Sequence, residues 1–151
     1  MLTIEWFRER MGRRTSEVSP CAYGRWLDGL LVTAEEGRLV LDYRVRPEMT
    51  NPAGILHGGV VAGMIDDVFG MLAATLVEER FLVTIDLHVD YLASAREGDV
   101  VTVDARVVRG GASVMHAEAS LLLGEKLLAR SSTNMVVGRI PVRRDGSEAS
   151  R

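Results

Sequence analysis

One stretch of the chain, residues 51–77, places a histidine, glycines and carboxylates beside a long apolar run. His57 is followed directly by Gly58 and Gly59, and the apolar run after them is broken only by the adjacent carboxylates Asp66 and Asp67. This pattern predicts a buried helix that begins near Gly58. Unpaired amides at a helix start stabilise developing negative charge, and a carboxylate can act as a general base or a nucleophile. The stretch therefore predicts a reaction site at the helix start and a carboxylate in its middle.

The spacing of His57 and Asp66 limits how the two can act together. They are nine residues apart in the sequence. On one helix this is about 13 Å along the axis, and the two side chains point in different directions. In one chain they therefore cannot both contact a single reacting atom. Either they have separate roles, or a second subunit brings its own Asp66 to this chain's His57; we favour the second alternative, which predicts an obligate dimer.

Length, charge and cysteine content restrict the class of protein. The 151 residues fit one domain, predicted over residues 1–140, with a polar flexible tail over 141–151. The net charge of -3 gives no support for binding to nucleic acid or a membrane surface. A single cysteine, Cys21, excludes an internal disulfide and is expected to be a small buried thiol.

No secretory signal is recognisable at the N-terminus, so a cytoplasmic location is expected. Two carboxylates inside the apolar run argue against a membrane span.

Apolar periodicity predicts the elements that position these residues. A short amphipathic helix is expected at the N-terminus, followed by a second helical turn at Ser19-Pro20 with the proline at the first helical position. The central helix is preceded by a loop over 46–56. The predicted strands cover residues 29–33, 38–45, 81–92, 99–109, 112–123 and 126–137. A helix that is apolar nearly all round must be covered, so the pattern favours an α+β fold in which a curved antiparallel sheet of five or six strands wraps around one long helix.

The arrangement resembles the hotdog-fold thioesterase superfamily, and within it the phenylacetyl-CoA thioesterase-like branch that also holds small acyl-CoA thioesterases. The resemblance covers roughly residues 51–137 and departs at Ser94, where relatives often carry proline in a turn. It rests on Asn51, His57-Gly58-Gly59, Asp66, Thr84-Ile85-Asp86-Leu87, Tyr91-Leu92 and Glu97-Gly98-Asp99.

This resemblance implies hydrolysis of an acyl-CoA or acyl-carrier-protein thioester with no cofactor. The Gly58 N–H would polarise the thioester carbonyl, and Asp66 would be the general base or the nucleophile, a choice that stays open. Asn51 and His57 resemble residues that orient the thioester and water, and Thr84 matches a position whose hydroxyl holds the carboxylate or the water. Family sites are built across a dimer interface, and relatives are often dimers of dimers, so a homodimer or homotetramer is expected.

Further residues near these motifs have weaker signals. Gly59 is expected to line the substrate site, and Arg109 and Ser113, which flank the Gly110-Gly111 turn, to contact the phosphates of coenzyme A. Asp67 is expected to be the solvated or helix-capping neighbour of Asp66.

A metal site is not expected in this sequence. His88 shares a strand face with Asp86 and Asp90 at a spacing of two, and no metal-ligand spacing stands out. His116 is expected to be structural.

A second hypothesis is a non-catalytic hotdog module that binds acyl-CoA as a sensor or partner domain. A sensor would be expected to carry an attached DNA-binding segment, for which we see no room in the sequence. The position of Asp66 favours the enzyme. The sequence does not predict the acyl group.

Overall fold

The computed structural model describes residues 2–76, 80–111 and 113–141. Three short helices, one 3-10 turn and one long helix precede or interrupt the strands. The helices are α1 (Ile4–Arg8), α2 (Thr15–Val18), α3 (Ala22–Leu27) and α4 (Gly58–Ala74), with the 3-10 turn at Pro47–Met49. The strands are β1 (Leu30–Glu35), β2 (Arg38–Arg44), β3 (Arg80–Tyr91), β4 (Val100–Gly110), β5 (Val114–Leu123) and β6 (Lys126–Pro141).

All six strands form one antiparallel sheet in the order β1-β2-β4-β5-β6-β3. Hairpins join β1 to β2, β4 to β5 and β5 to β6, whereas β3 returns to pair with β6 at one edge. Helix α4 packs against β2, β3, β4, β5 and β6. The predicted α+β class is confirmed, with six strands around one long helix.

Helix α4 begins at Gly58 because the preceding residue caps it. His57 has an extended backbone, and its Nδ1 accepts a hydrogen bond from the Gly59 N–H at 2.9 Å. Eight side chains of the helix are buried, and burial of each large one contributes about 1.5–3 kcal/mol. They are Val61, Met64, Ile65, Val68, Phe69, Met71, Leu72 and Ala73. The apolar run therefore forms the centre of the core, as the sequence predicted.

A β-bulge in β3 changes which side chains face α4. Thr84 pairs with Met135 and Asp86 with Asn134, so Ile85 is the extra residue in the strand. A bulge moves the residues on its two sides out of simple alternation. Simple alternation along residues 81–92 would put Ile85 on one face with Leu87 and Tyr91, and Thr84 on the other. In the structure Ile85 is 60% exposed, and Thr84 faces α4 together with Tyr91.

The N-terminal segment differs from the prediction of one helix and a turn. It forms three short helices, and α3 begins at Ala22 instead of at Pro20. The Cys21 N–H donates to Ser19 Oγ at 3.1 Å, which holds residues 19–21 in a turn before the helix. Cys21 is exposed and not a buried thiol, since it lies at this turn.

The C-terminal prediction can be followed only to Pro141, the last residue of β6. The rest of the predicted tail, residues 142–151, lies outside the described residues.

Within the described ranges, no helix has both the length and the apolarity needed to cross a membrane.

Candidate active site

The start of α4 presents two hydrogen-bond donors. Because Nδ1 of His57 accepts from Gly59, the neutral imidazole carries its proton on Nε2. The His57 side chain is exposed, so this N–H is accessible. The Gly58 N–H is the first amide of the helix, and none of the described residues accepts a hydrogen bond from it. Both donors can stabilise negative charge on a bound oxygen.

Tyr91 holds this helix start in place. Its hydroxyl donates to the Gly58 carbonyl oxygen at 2.9 Å. A Cβ atom on Gly58 would lie 3.3 Å from Tyr91 Cε1, so glycine allows the ring to pack closely here. Tyr91 is one of the residues that carry the family resemblance, but its contact with Gly58 could not be predicted, since only the tertiary structure brings the end of β3 to the start of α4.

Asp66 and Thr84 are brought together in the middle of α4. The Thr84 hydroxyl donates to Asp66 Oδ1 at 3.2 Å, a contact that depends on the bulge next to Thr84 in β3. The Asp66 side chain is partly buried. Its second oxygen, Oδ2, accepts no hydrogen bond from the described residues, so it can accept one from a ligand or water.

Asn51 stabilises the loop that leads into α4. Its Oδ1 accepts from the N–H groups of Ala53 at 2.9 Å and Ile55 at 3.4 Å, and its own N–H donates to the Ile55 carbonyl oxygen. The His57 N–H then donates to the Met49 carbonyl oxygen at 2.9 Å. These bonds fix the approach of the chain to His57 and use the amide oxygen of Asn51, which leaves Nδ2 as the donor that a substrate could meet.

Arg109 and Ser113 lie far from Gly58 within one chain. Both residues are exposed and flank the turn between β4 and β5. A Cβ atom on Gly110 would lie 3.9 Å from Leu76 Cδ1, which places this turn at the C-terminal end of α4. A helix of 17 residues is about 25 Å long. The predicted phosphate contacts are therefore at the opposite end of α4 from the predicted carbonyl-binding amide.

The expectation that Asp67 is solvated or caps the helix is wrong, since the N-cap of α4 is His57. Asp67 Oδ2 is buried and has no hydrogen-bond partner among the described residues. The reason is close packing of α3, since a Cβ atom on Gly24 would lie 3.0 Å from Asp67 Oδ2. Burial, and secondarily the charge of Asp66, raise the pKa of the Asp67 carboxyl to about 6. Sequence spacing gave no indication of this, because Gly24 precedes Asp67 by 43 positions.

Polar residues of β3, β5 and β6 form pairs between side chains. Asp86 Oδ2 accepts from Asn134 Nδ2 at 2.8 Å, and His88 Nε2 lies 3.2 Å from Asp90 Oδ1. His116 Nδ1 lies 2.9 Å from Asn134 Oδ1, a contact within the sheet. In the part of the chain that the structure describes, no three His, Cys, Asp or Glu side chains are grouped to hold a metal ion.

The chain is similar to known thioesterases in both sequence and structure. Residues 53–129 match the family model of the thioesterase superfamily. Human acyl-coenzyme A thioesterase 13 is 31% identical over 93 residues, which cover 60% of this chain and 65% of the human protein. The chain thus spans slightly less than two thirds of the length of this relative.

Two solved structures show the same fold. Zebrafish thioesterase superfamily member 2 has a TM-score of 0.77 at 24% identity, covering 91% of this chain and all of that one (100%). A Streptococcus mutans protein bound to acetyl-CoA has a TM-score of 0.69 at 22% identity, covering 74% of this chain and 89% of that one. The predicted hotdog fold is confirmed by these similarities. Because the family match covers just over half of the chain, the protein belongs to the thioesterase superfamily, as the residues around His57 and Asp66 predicted.

Proposed function

We propose that the protein hydrolyses acyl-CoA thioesters to a free acid and coenzyme A, with water as the only co-reactant. The proposal rests on one observation about α4. Asp66 of this helix pairs with Thr84 of β3, and the first amide of the same helix, at Gly58, has no hydrogen-bond partner among the described residues. The family supports the reaction class. The name of the human relative and the acetyl-CoA bound to the Streptococcus mutans protein support coenzyme A as the carrier.

The start of α4 would bind the thioester carbonyl oxygen. At this point the Gly58 N–H and the helix dipole stabilise developing negative charge, and the His57 Nε2–H adds a second donor. Asn51 Nδ2 would orient the thioester, and the absence of a side chain at Gly59 would let the substrate approach the exposed first turn. These groups would stabilise the tetrahedral intermediate more than the planar substrate, which accelerates the chemical step.

Asp66 would supply the second half of the reaction. As a general base it takes a proton from water while the water oxygen attacks the carbonyl carbon; the C–S bond then breaks and the thiolate takes the proton. As a nucleophile it forms an acyl anhydride with loss of the thiolate, and water hydrolyses the anhydride. In both cases the Thr84 hydroxyl fixes Oδ1 and leaves Oδ2 for the reaction.

The complete site would combine two subunits. Asp66 is about 13 Å further along α4 than His57, so one chain alone does not bring both groups to one carbonyl. A second copy placed antiparallel along α4 would supply its own carboxylate to the His57 and Gly58 of this chain. The same placement would carry Arg109 and Ser113 of one copy toward the helix start of the other, where they could bind the phosphates. We propose a homodimer, or a dimer of such dimers.

The test is hydrolysis of a panel of short, long and aryl acyl-CoAs, followed by free thiol. Asp66→Asn and Asp66→Ala are expected to lower kcat at least about 100-fold, because general base catalysis typically contributes 10²–10⁴-fold. Asp90→Asn is the matched control, since Asp90 is exposed and its carboxylate bonds only to His88 among the described residues. It should leave turnover unchanged.

Two results would contradict the proposal. Unchanged turnover in both Asp66 variants would overturn the catalytic assignment. Binding of acyl-CoA by a wild-type protein that hydrolyses no thioester would favour the non-catalytic acyl-CoA-binding module instead.

A further inference from the structure

Tyr23 of α3 contacts α4 beside the proposed catalytic carboxylate. Its hydroxyl lies so close to Gly63 that a Cβ atom at that position would collide with it. Gly63 is three and four positions before Asp66 and Asp67, so the three residues lie on neighbouring parts of one helix surface. The glycine thus makes room for a phenol oxygen about one helical turn from Asp66.

The Tyr23 ring is held by its neighbours on α3. It stacks on Trp26 with ring centroids 5.9 Å apart and planes at 20°. The Arg46 guanidinium lies 5.3 Å from the Trp26 ring centroid and donates to the Trp26 carbonyl oxygen at 2.6 Å. Ring and helix are therefore oriented before any substrate binds.

The hydroxyl and the two carboxylates are within electrostatic range of one another. Burial raises the pKa of Tyr23, and the charges of Asp67 and then Asp66 raise it further, so the phenol stays protonated. Asp67 Oδ2 is buried without a hydrogen-bond partner among the described residues, whereas the hydroxyl of the partly exposed Tyr23 side chain bonds to none of them. A buried carboxylate oxygen without a donor is unfavourable, and Tyr23 offers one.

We propose that Tyr23 and Asp67 form a positioning pair for hydrolysis at Asp66. A small rotation of the Tyr23 side chain, which is 45% exposed, lets Asp67 accept the hydrogen of its hydroxyl, and the Tyr23 oxygen then accepts one hydrogen of the attacking water. The other hydrogen of that water points to Asp66 Oδ2, so an oxygen lone pair is directed at the thioester carbonyl carbon. This inference rests on the proposed function, and it applies to the general-base route, in which Asp66 Oδ2 is free to take the proton of the water.

Asp67 has few polar or charged neighbours besides Tyr23. Asp66 is adjacent on α4, the buried Tyr43 hydroxyl approaches from β2, and Ser19 Oγ lies before α3, where it accepts from the Cys21 N–H. Of these only Asp66 carries charge. The pair accepts and donates as proposed only when Asp67 is ionised, so turnover should increase as the pH rises through about 6.

The kinetic test compares Tyr23→Phe, Asp67→Asn and the double variant with wild type. Each single change is expected to lower kcat by up to about 100-fold with KM little changed, because a misplaced nucleophile affects the chemical step. The kcat of the double variant should be no lower than that of the poorer single variant, since both changes remove the same hydrogen-bonded pair. The increase in turnover near pH 6 should be absent from Asp67→Asn. Tyr43→Phe, which removes another hydroxyl beside Asp67, is the matched control and should keep wild-type kcat.

A second readout does not depend on turnover. The Asp67 carboxyl, followed by carbon-13 NMR and assigned with Asp67→Asn, should titrate at higher pH in Tyr23→Phe, because a hydrogen bond to the charged form is lost. An unchanged titration would overturn the pair, and so would equal losses of activity in Tyr43→Phe and Tyr23→Phe. A wild-type protein without thioesterase activity would overturn the proposed function and the catalytic role together. A hydrolase whose Tyr23→Phe variant is fully active would overturn the pair alone.

Discussion

Asp67 makes the stability of the protein depend on pH. Its pKa is raised from the usual 3.8 to about 6 on folding. Below pH 3.8 the carboxyl is protonated in both states, and its contribution is fully present. Between pH 3.8 and about 6 the unfolded state releases its proton more readily than the folded state, so the free energy of unfolding falls, by at most roughly 3 kcal/mol in total, and levels off above that interval. Asp67→Asn should therefore be more stable than wild type at pH 8, with a much smaller difference at pH 4, in urea unfolding at both values.

The control for this pH effect is Asp90→Asn, since Asp90 is exposed. Its difference from wild type should be small and similar at the two pH values. A stability gain for Asp67→Asn that is the same at pH 4 and pH 8 would contradict a burial penalty on the charged carboxyl.

Residues with an evident chemical pattern could be recognised from the sequence, whereas those defined by packing could not. His57, Gly58 and Asp66 are close in the sequence, and the caps and apolar run around them are local features. Asp67 is surrounded by residues of α3, and Tyr91 contacts the start of α4. No sequence pattern indicates either contact. The exposed position of Cys21 likewise depends on a turn at Ser19 that local propensity did not indicate.

At the scale of elements, two glycines of α4 should respond oppositely to the same substitution. Gly70 is exposed, and a Cβ atom there would meet no atom within 4 Å, so Gly70→Ala should stabilise the helix by roughly 0.5–1 kcal/mol. At Gly63 the added methyl group would displace the Tyr23 ring, and the gain in helix propensity should be lost. Urea unfolding of both variants measures the difference. Equal stabilisation by the two changes would contradict the contact between α3 and α4.

Strand positions followed from the sequence to within a few residues, but the bulge in β3 did not. Alternation and turn residues are local, so the hairpins of β4, β5 and β6 were predicted. The extra residue, Ile85, is determined by the register of β3 against β6, whose partner residues lie about fifty positions away. The same register turns Thr84 toward Asp66. The family resemblance therefore suggested that the two residues act together, but the geometry of the pair could not be derived from the sequence.

At the scale of the whole molecule, the two edges of the sheet differ. The outer edge of β1 is covered by the N-terminal segment, since Gly12 N–H donates to the Leu31 carbonyl oxygen and Leu31 N–H to that of Arg13. No such segment pairs with the outer edge of β3 among the described residues. Open edges with exposed apolar side chains are sites of strand pairing. Ile85 of β3 is 60% exposed, and Leu92, the residue after the end of β3, is 58% exposed.

Ile85→Lys should therefore dissociate the proposed dimer, because it places a charge in the middle of the open edge. Val32 is the matched control: it is also the extra residue at a bulge and 43% exposed, but it lies on the covered edge strand β1. Light scattering during size exclusion should show a smaller mass for Ile85→Lys and an unchanged mass for Val32→Lys. Hydrolysis should fall with the mass, since separated subunits cannot bring Asp66 of one chain to His57 of the other. A fully active monomer would contradict a site built from two subunits, and a stable dimer of Ile85→Lys would place the interface elsewhere than on β3.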